Sequence, residues 1–439
     1  MMDFTILGCL CIALLFVALA LSVPVGIALA ATGILGMALG PGMDFLAGQL
    51  SSLPYAVTAN YAFAVLPLFV LMGVLAERSK ITEEVFRAAD VWLRQFKGGL
   101  YQAVILGSAV FAAISGSTIV NAVVFTRLAF PEMLKYGYSR SLSIGAIAAA
   151  GSFAAMIPPS ITMVIYAILT EQSVGQLLIA GIIPGLLTAA VYMVGIMIMV
   201  RIRPDLAPGL GAPVPLREKL NAIKWLWSVV VLVALVLGGI YLGVFPPSAA
   251  GAMGAFGVFV IFVLRLRSKV RSELGAALLD SATVSCIVFA VLIGGLIFSR
   301  MLVVLGMIDG IVDVITSITQ NPVEFLILAS VFYLVLGCFL DTTSMMVVTL
   351  PFIYPITQRL GIDGIWFGIV LVKLVEISVI TPPVGMNLFA VMSAVDEKTT
   401  FRHVVRGVMP FIGLELIVLG LLIAFPVLIT WLPQQMLSK

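Results

Sequence analysis

The chain has 439 residues, 62% of them hydrophobic and only 10% charged. Soluble domains are nearer half apolar and about a quarter charged, so a soluble fold is excluded: this much apolar surface needs lipid around it. The net charge of +3 says little about partners, and where the charges sit says more.

Spanning helices need about 20 apolar residues each. Such runs cover 4–40, 53–77, 100–130, 141–170, 176–200, 224–243, 246–264, 276–304, 323–358, 364–395 and 408–432. The first is long enough for two short helices broken near Pro24-Val25-Gly26. Met1-Met2-Asp3 lacks the basic region of a cleavable signal, so this run is expected to be retained. The runs 100–130 and 323–358 carry small or polar residues at mid-length, which suits hairpins that enter the membrane and turn back. Residues 81–97 read as an amphipathic helix along the interface, with Ile81, Val85, Ala88 or Ala89, and Trp92 or Leu93 on one face. The stretch 203–221, with Pro204, Pro208, Pro213 and Pro215, is the longest non-membrane linker.

Cys9, Cys11, Cys286 and Cys338 lie in apolar runs without a CxxC pair and read as small buried hydrophobes. His403 is the single histidine, so no zinc site is expected.

Of the 24 cations, 20 fall in five groups: 78–97, 127–140, 201–224, 265–271 and 398–406. All five share one side if 100–130 is re-entrant, and the basic side is cytoplasmic by the positive-inside rule. Outside the groups stand Arg300, Arg359, Lys439 and the intramembrane Lys373.

The two halves repeat. Pro131, Gly137 and Pro158-Pro159 recur as Pro355, Gly361 and Pro382-Pro383 at an offset of 224, which also pairs Ser117 with Asp341. Gly181 and Pro184 recur as Gly407 and Pro410 at 226. The charge map places the ends of the two hairpins on opposite sides, so the copies are inverted, as in secondary transporters. The expected fold is all-α and polytopic, with about 11 transmembrane helices plus two re-entrant hairpins. The divisions are 1–52, scaffold helices; 53–202, the first repeat, with hairpin 100–130 and broken helix 141–170; and 203–223, a linker. Then come 224–275, further scaffold helices, and 276–439, the second repeat, with hairpin 323–358 and broken helix 364–395.

Four places interrupt apolar helix: Ser115-Gly116-Ser117-Thr118 with Asn121; Pro158-Pro159-Ser160; Asp341-Thr342-Thr343-Ser344; and Thr381-Pro382-Pro383-Val384-Gly385 with Asn387. A double proline removes two N–H donors and frees carbonyls in the preceding turn, which persist in lipid if they line a cavity or bind a cation. Carbonyls, hydroxyls and one carboxylate suit Na⁺. Helix N-termini at the hairpin tips favour an anion. The candidate cation ligands are Ser117, Pro158, Pro159, Ser160, Asp341, Thr381, Pro382, Pro383 and Gly385. The candidate substrate contacts are Ser115, Gly116, Thr118, Asn121, Thr342, Thr343, Ser344 and Asn387. Asp341 is the most informative, because a mid-membrane carboxylate is costly unless paired. Satisfaction by neighbouring hydroxyls or backbone is the competing reading. Lys373 and Glu376, three apart, read as a mutual pair or a recognition element. Arg127 and Glu132 read as surface anchors of the first hairpin.

The segments PLFVLMGVLAERSKI (67–81), PEMLKYGYSRSLSIGAIAAAGSFAAMIPPS (131–160), IAGIIPGLL (179–187), GCFLDTTSMMVVTLPFIYPI (337–356) and ITPPVGMNLF (380–389) resemble the large membrane subunit of tripartite ATP-independent periplasmic (TRAP) transporters. The resemblance runs over almost the whole chain. It implies an ion-transporter-type fold with an elevator mechanism, and Na⁺-coupled uptake of an organic acid with no organic cofactor. It also implies a periplasmic substrate-binding protein, a separate four-helix small subunit, and residence in the bacterial inner membrane. The family's ion and substrate region falls on the four interrupted places. Asn121, Arg127 and Lys373 depart from the family's usual residues and bear on the substrate. A stand-alone carboxylate symporter of the same fold is the nearest alternative. An intramembrane enzyme would need a paired nucleophile and base or two metal ligands at one depth, and there is no HExxH, no GxSxG in a suitable context and no second intramembrane aspartate near Asp341. A channel would need a continuous polar pore. No nucleic-acid partner and no phosphate-binding loop are indicated.

Overall fold

A computed structural model describes residues 4–208, 213–337 and 340–437 of the chain. Cys338, Lys439 and Met1 to Asp3 lie outside them. No strand occurs among the described residues. In lipid each backbone N–H and C=O must find its partner within its own segment, and a helix achieves this.

The first apolar run is two helices, α1 (Phe4–Ala20) and α2 (Val25–Leu39). α3 (Met43–Thr58) follows and precedes α4 (Val65–Arg78), so the helix starts well before the expected run at 53. Asp44, Gln49, Ser51 and Ser52 make that start look like loop in sequence, yet Ser51 and Ser52 satisfy their hydroxyls on Gly48 O within the helix. Next come α5 (Ile81–Leu93), α6 (Gly99–Ser115), α7 (Thr118–Lys135), α8 (Arg140–Gly151), α9 (Phe153–Met156) and α10 (Ile161–Leu169). They are followed by α11 (Val174–Ala180), α12 (Ile182–Ile202), α13 (Leu216–Ile223), α14 (Trp227–Val233), α15 (Gly239–Tyr241) and α16 (Pro247–Leu266). The remainder are α17 (Val270–Val304), α18 (Met307–Ile318), α19 (Pro322–Leu336), α20 (Thr342–Arg359), α21 (Gly364–Ser378), α22 (Met386–Met392), α23 (Phe401–Ala424) and α24 (Val427–Leu437).

Several expected boundaries move. The division at 275/276 falls inside α17, whose 35 residues extend roughly 52 Å at 1.5 Å each. Residues 307–318, outside the expected apolar runs, form α18; Met307 and Val312 are its buried positions. The run 408–432 is two helices, α23 and α24. Among the described residues, five stretches are long and apolar enough to cross a membrane alone, or up to seven if two bent helix pairs count as one span each. The bends are 40° between Arg140–Met156 and Ile161–Leu169, and 119° between α18 and α19. α5 buries Ile81, Val85, Phe86, Ala88, Ala89 and Val91 against α6 and α13. Trp92 is exposed, its Nε1 donating to Lys219 O at 3.0 Å, so it lies off the buried face. Cys11 is buried but Cys9 and Cys286 are exposed on the outer surface, where a thiol sits among lipid-facing side chains as readily as in a core.

Long-range contacts sort the loops into two ends. At the first end Arg78 pairs with Glu273 (2.7 Å) and Asp280 (2.6 Å), and Arg265 with Glu84 (2.6 Å). There too Ser139 N and Tyr101 OH donate to Leu206 O, and Arg140 pairs with Asp396 at 2.7 Å. Leu100 N donates to Tyr138 OH at 3.3 Å, so α6 leaves this end and α7 returns to it. At the other end Arg300 donates to Gln49, Arg359 pairs with Asp313 (2.8 Å), and Gln172 donates to Tyr354 OH. α19 starts just after α18, and Arg359 at the end of α20 returns to α18, so this second helix pair opens from the opposite end.

Candidate functional site: two interrupted helices faced by two turns

α6 ends at Gly116, whose φ of +62° favours glycine, and Ser117 starts α7 as its N-cap, accepting from Val120 N at 3.4 Å. The turn packs backbone to backbone. A Cβ on Gly116 would lie 3.0 Å from Pro159 O, and one on Gly73 would lie 2.4 Å from Ser115 O. The turn is therefore wedged between α4 and the break in the α8–α10 helix. Ser115 Oγ is buried there without a hydrogen-bond partner, and Thr118 is half-buried. Asn121 lies deeper. Its Nδ2 donates to Ser108 O at 3.2 Å, and Ser108 Oγ is 2.9 Å from both Asn121 Oδ1 and Ala150 O. This amide ties α6, α7 and α8 together inside the hairpin rather than at its turn.

The break at Ile157 to Ser160 is buried throughout. Pro159 deprives Ala155 O of its helical donor, and Ser160 Oγ supplies a replacement at 2.6 Å. Ser160 also N-caps α10, accepting from Met163 N at 3.3 Å. The second break follows the same logic with backbone donors: Thr381 N serves Ser378 O at 3.1 Å and Asn387 N serves Val379 O at 3.0 Å. Thr381 Oγ1 donates to Ile377 O. The freed carbonyls expected from the double prolines are thus partly re-satisfied. Asn387 Nδ2 donates to Ala148 O at 3.2 Å, joining the second break to α8, while its Oδ1 is buried and unpartnered. The two breaks differ in access: Pro158 and Pro159 are buried, whereas Pro383 and Val384 are exposed and Gly385 (φ +39°) is buried.

Asp341 N-caps α20. Its Oδ2 accepts from Thr343 N at 3.0 Å and Ser344 N at 3.2 Å, and Ser344 Oγ donates to Oδ1. The carboxylate is half-buried, as are Thr342 and Thr343; Ser344 is buried. Ser117 and Asp341, paired by the repeat, hold the same capping position in α7 and α20. A carboxylate with three donors still has acceptor capacity for a cation. A Cβ on Gly337, the C-cap of α19, would lie 2.1 Å from Ser378 Cβ, so the end of α19 packs on the end of α21.

Sequence reading missed one member of the polar interior. Lys373 and Glu376 do pair, at 2.9 Å, and Lys373 also pairs with Glu415 of α23 and donates to Thr188 Oγ1 of α12 at 2.9 Å. Tyr192 OH donates to Glu415, and Ser152 Oγ lies 3.3 Å from Glu376 Oε1. Lys373, Glu376 and Glu415 are all 0% exposed. Glu415 sits alone in an apolar run, and the signal that could have found it was the need of a buried lysine for more than one anion. Arg127 lies midway along α7 and Glu132 in its last turn, both away from the turn at Gly116.

Apolar helices with interrupted backbone at two places, each faced by a turn, define a multi-pass membrane transporter. The family model described as "Tripartite ATP-independent periplasmic transporter, DctM component" matches residues 12–428, and the chain belongs to this family of large permease subunits, which are transport proteins and not enzymes. It is 32% identical over 385 residues to the C4-dicarboxylate TRAP transporter large permease protein DctM of Pseudomonas aeruginosa, spanning 88% of this chain and 87% of the relative. It is 30% identical over 452 residues to the protein of the same name from Vibrio cholerae, spanning 97% and 98%. The crystal structure of the Alcanivorax borkumensis YdaH transporter matches with a TM-score of 0.52 at 16% identity, over 88% of this chain and 89% of that one. That likeness concerns the fold.

Proposed function

We propose that this subunit carries out Na⁺-coupled uptake of a small organic acid by an elevator mechanism, in the bacterial inner membrane with its basic end in the cytoplasm. α6–α7 and α19–α20 are then re-entrant hairpins of two inverted copies, within a fold of about 11 spans. A periplasmic binding protein delivers the substrate, and a four-helix small subunit completes the scaffold. Names of relatives support a C4-dicarboxylate as the first substrate to try; sugar acids and sialic acids belong to the same chemical class.

The observation that carries this reading is the pair of breaks with their turns. Ser115 Oγ and Asn387 Oδ1 are buried oxygens without donors, next to backbone that has lost N–H groups. Oxygen ligands of this kind suit Na⁺, whereas the N-termini of α7 and α20 offer N–H groups to a carboxylate. The contrast between an enclosed first break and an open second one suits alternating access, in which symmetry-related gates are never open together.

The test is reconstitution of this chain with its small subunit and binding protein in liposomes, with labelled succinate as the probe. Accumulation is expected only with the binding protein present and a sodium gradient directed inward. Equal uptake with potassium in place of sodium would overturn the coupling. Uptake without the binding protein would favour a stand-alone symporter.

A further inference from the structure

At the basic end, α8, α12 and α23 line a cavity of about 570 Å³. Arg203, the C-cap of α12, and Arg406, in the second turn of α23, both face it. Other cations at this end are paired: Arg78 with Glu273 and Asp280, Arg140 with Asp396, and Arg265 with Glu84. Among the described residues neither Arg203 nor Arg406 has a carboxylate partner, the neighbouring Asp205 included. Two cations on one cavity repel each other, and an anion between them relieves the repulsion. Guanidinium groups match phosphate with parallel N–H bonds. Ser139 and Ser141 line the same cavity, and their hydroxyls make no hydrogen bond among the described residues, so both are free to donate.

The rest of the wall is apolar: Leu142, Met199, Ile202, Leu206 and Pro410. Ile202, Ile198 and Val194 follow at intervals of four along α12, on one face, and all three are exposed. This stripe leads from the cavity into the membrane. A soluble anion makes no use of it, whereas a phospholipid joins a phosphate to an acyl chain.

We propose that the cavity binds an anionic phospholipid, its phosphate between Arg203 and Arg406 and one chain along the Val194–Ile198–Ile202 stripe. Basic cavities between spanning helices are suited to anionic headgroups. α8 and α12 belong to the first copy of the repeat and α23 to the second, so the lipid bridges the two copies. The assignment is separate from sodium coupling, and its test needs neither substrate nor partner subunits.

The experiment is titration of the purified, delipidated full chain in neutral detergent, read by native mass spectrometry and by thermal unfolding. The probes are phosphatidylglycerol, phosphatidylcholine and inorganic phosphate. Phosphatidylglycerol is expected to bind wild type and raise its melting temperature, and the other two to do so far less. The double variant Arg203→Gln, Arg406→Gln is expected to weaken phosphatidylglycerol binding by about tenfold or more. Both side chains are exposed, so the fold is expected to survive. The control is Arg267→Gln with Arg271→Gln, two exposed cations at the same end but outside the cavity, which is expected to keep wild-type binding. Equal binding by wild type and the Arg203, Arg406 variant would overturn the site. An equal loss in the control would reduce it to unspecific attraction and overturn it too. Stabilisation by inorganic phosphate as large as that by phosphatidylglycerol would overturn the lipid as occupant.

Discussion

Ser152 and Glu376 are 224 residues apart, the same position in the two copies of the repeat, and their side-chain oxygens lie 3.3 Å from each other. The relationship is unequal: one copy supplies a hydroxyl, the other a carboxyl group that also meets a lysine. Glu376→Ala leaves Lys373 paired with Glu415 but takes the acceptor from one buried lysine N–H, and a buried donor left unsatisfied costs about 1–3 kcal/mol. Glu376→Ala is therefore expected to destabilise the protein by that order, whereas Glu376→Gln keeps volume and hydrogen bonds and costs less. Chemical unfolding of both variants in detergent checks the ranking. Equal losses would mean that the lost charge, and not volume or hydrogen bonding, dominates at this position.

The close approach of α4 to the first turn gives a second prediction. A Cβ on Gly73 would lie 2.4 Å from Ser115 O, and that carbonyl is backbone, so a helix or the turn must move. Overpacking of this kind costs about 1–3 kcal/mol. Gly48, in α3, has open space around it, so Gly48→Ala is the control and is expected to be neutral or mildly stabilising by helix propensity. Thermal unfolding of Gly73→Ala and Gly48→Ala measures both. A Gly73→Ala protein as stable as wild type would show that the turn is not wedged.

Much of this arrangement is legible in sequence because backbone exceptions in lipid are conspicuous. Pro158-Pro159 and Pro382-Pro383 cannot sit silently in a spanning helix, and Gly116 marks a left-handed turn. Side-chain partners are harder to read. Ser160 rescues the carbonyl freed by Pro159, Ser108 absorbs Asn121, and Glu415 answers Lys373 from 42 residues further on. None of these pairs follows from spacing along one helix. α18 escaped because 12 residues with an apolar stripe are too short to register as an apolar run. Its place after α17 mirrors that of α5 after α4, which the repeat could have indicated.

The tie between Arg140 and Asp396 makes a pH prediction. The Thr399 hydroxyl, and then the Arg140 guanidinium, hold the Asp396 carboxyl below its ordinary value, outweighing the opposing effect of burial. A lowered folded-state value means the unfolded chain binds the proton more readily. The contribution is then complete above the ordinary carboxylate value of about 4 and is lost as pH falls from there through the folded-state value. Asp396→Asn should lower the melting temperature slightly at neutral pH, with the difference from wild type shrinking under acid. High salt should shrink it too, because the pair is accessible to solvent. A difference that grows toward acid would reverse the sign of the argument.

Asp341 combines two roles that substitution can separate. As the N-cap of α20 it holds Thr343 N and Ser344 N, and losing an aspartate cap to alanine costs about 0.5–2 kcal/mol. Asparagine caps nearly as well, so Asp341→Asn is expected to stay close to wild type in thermal unfolding while Asp341→Ala melts earlier. The negative charge is absent from both. If the carboxylate also holds the coupling cation, both variants lose sodium-dependent succinate uptake in liposomes, and the stable Asp341→Asn protein shows that loss without a folding defect. Unchanged sodium dependence in Asp341→Asn would leave Asp341 as a cap alone and move the cation toward the unpartnered oxygens of Ser115 and Asn387. Those oxygens lie at the two places where the chain interrupts its own helices.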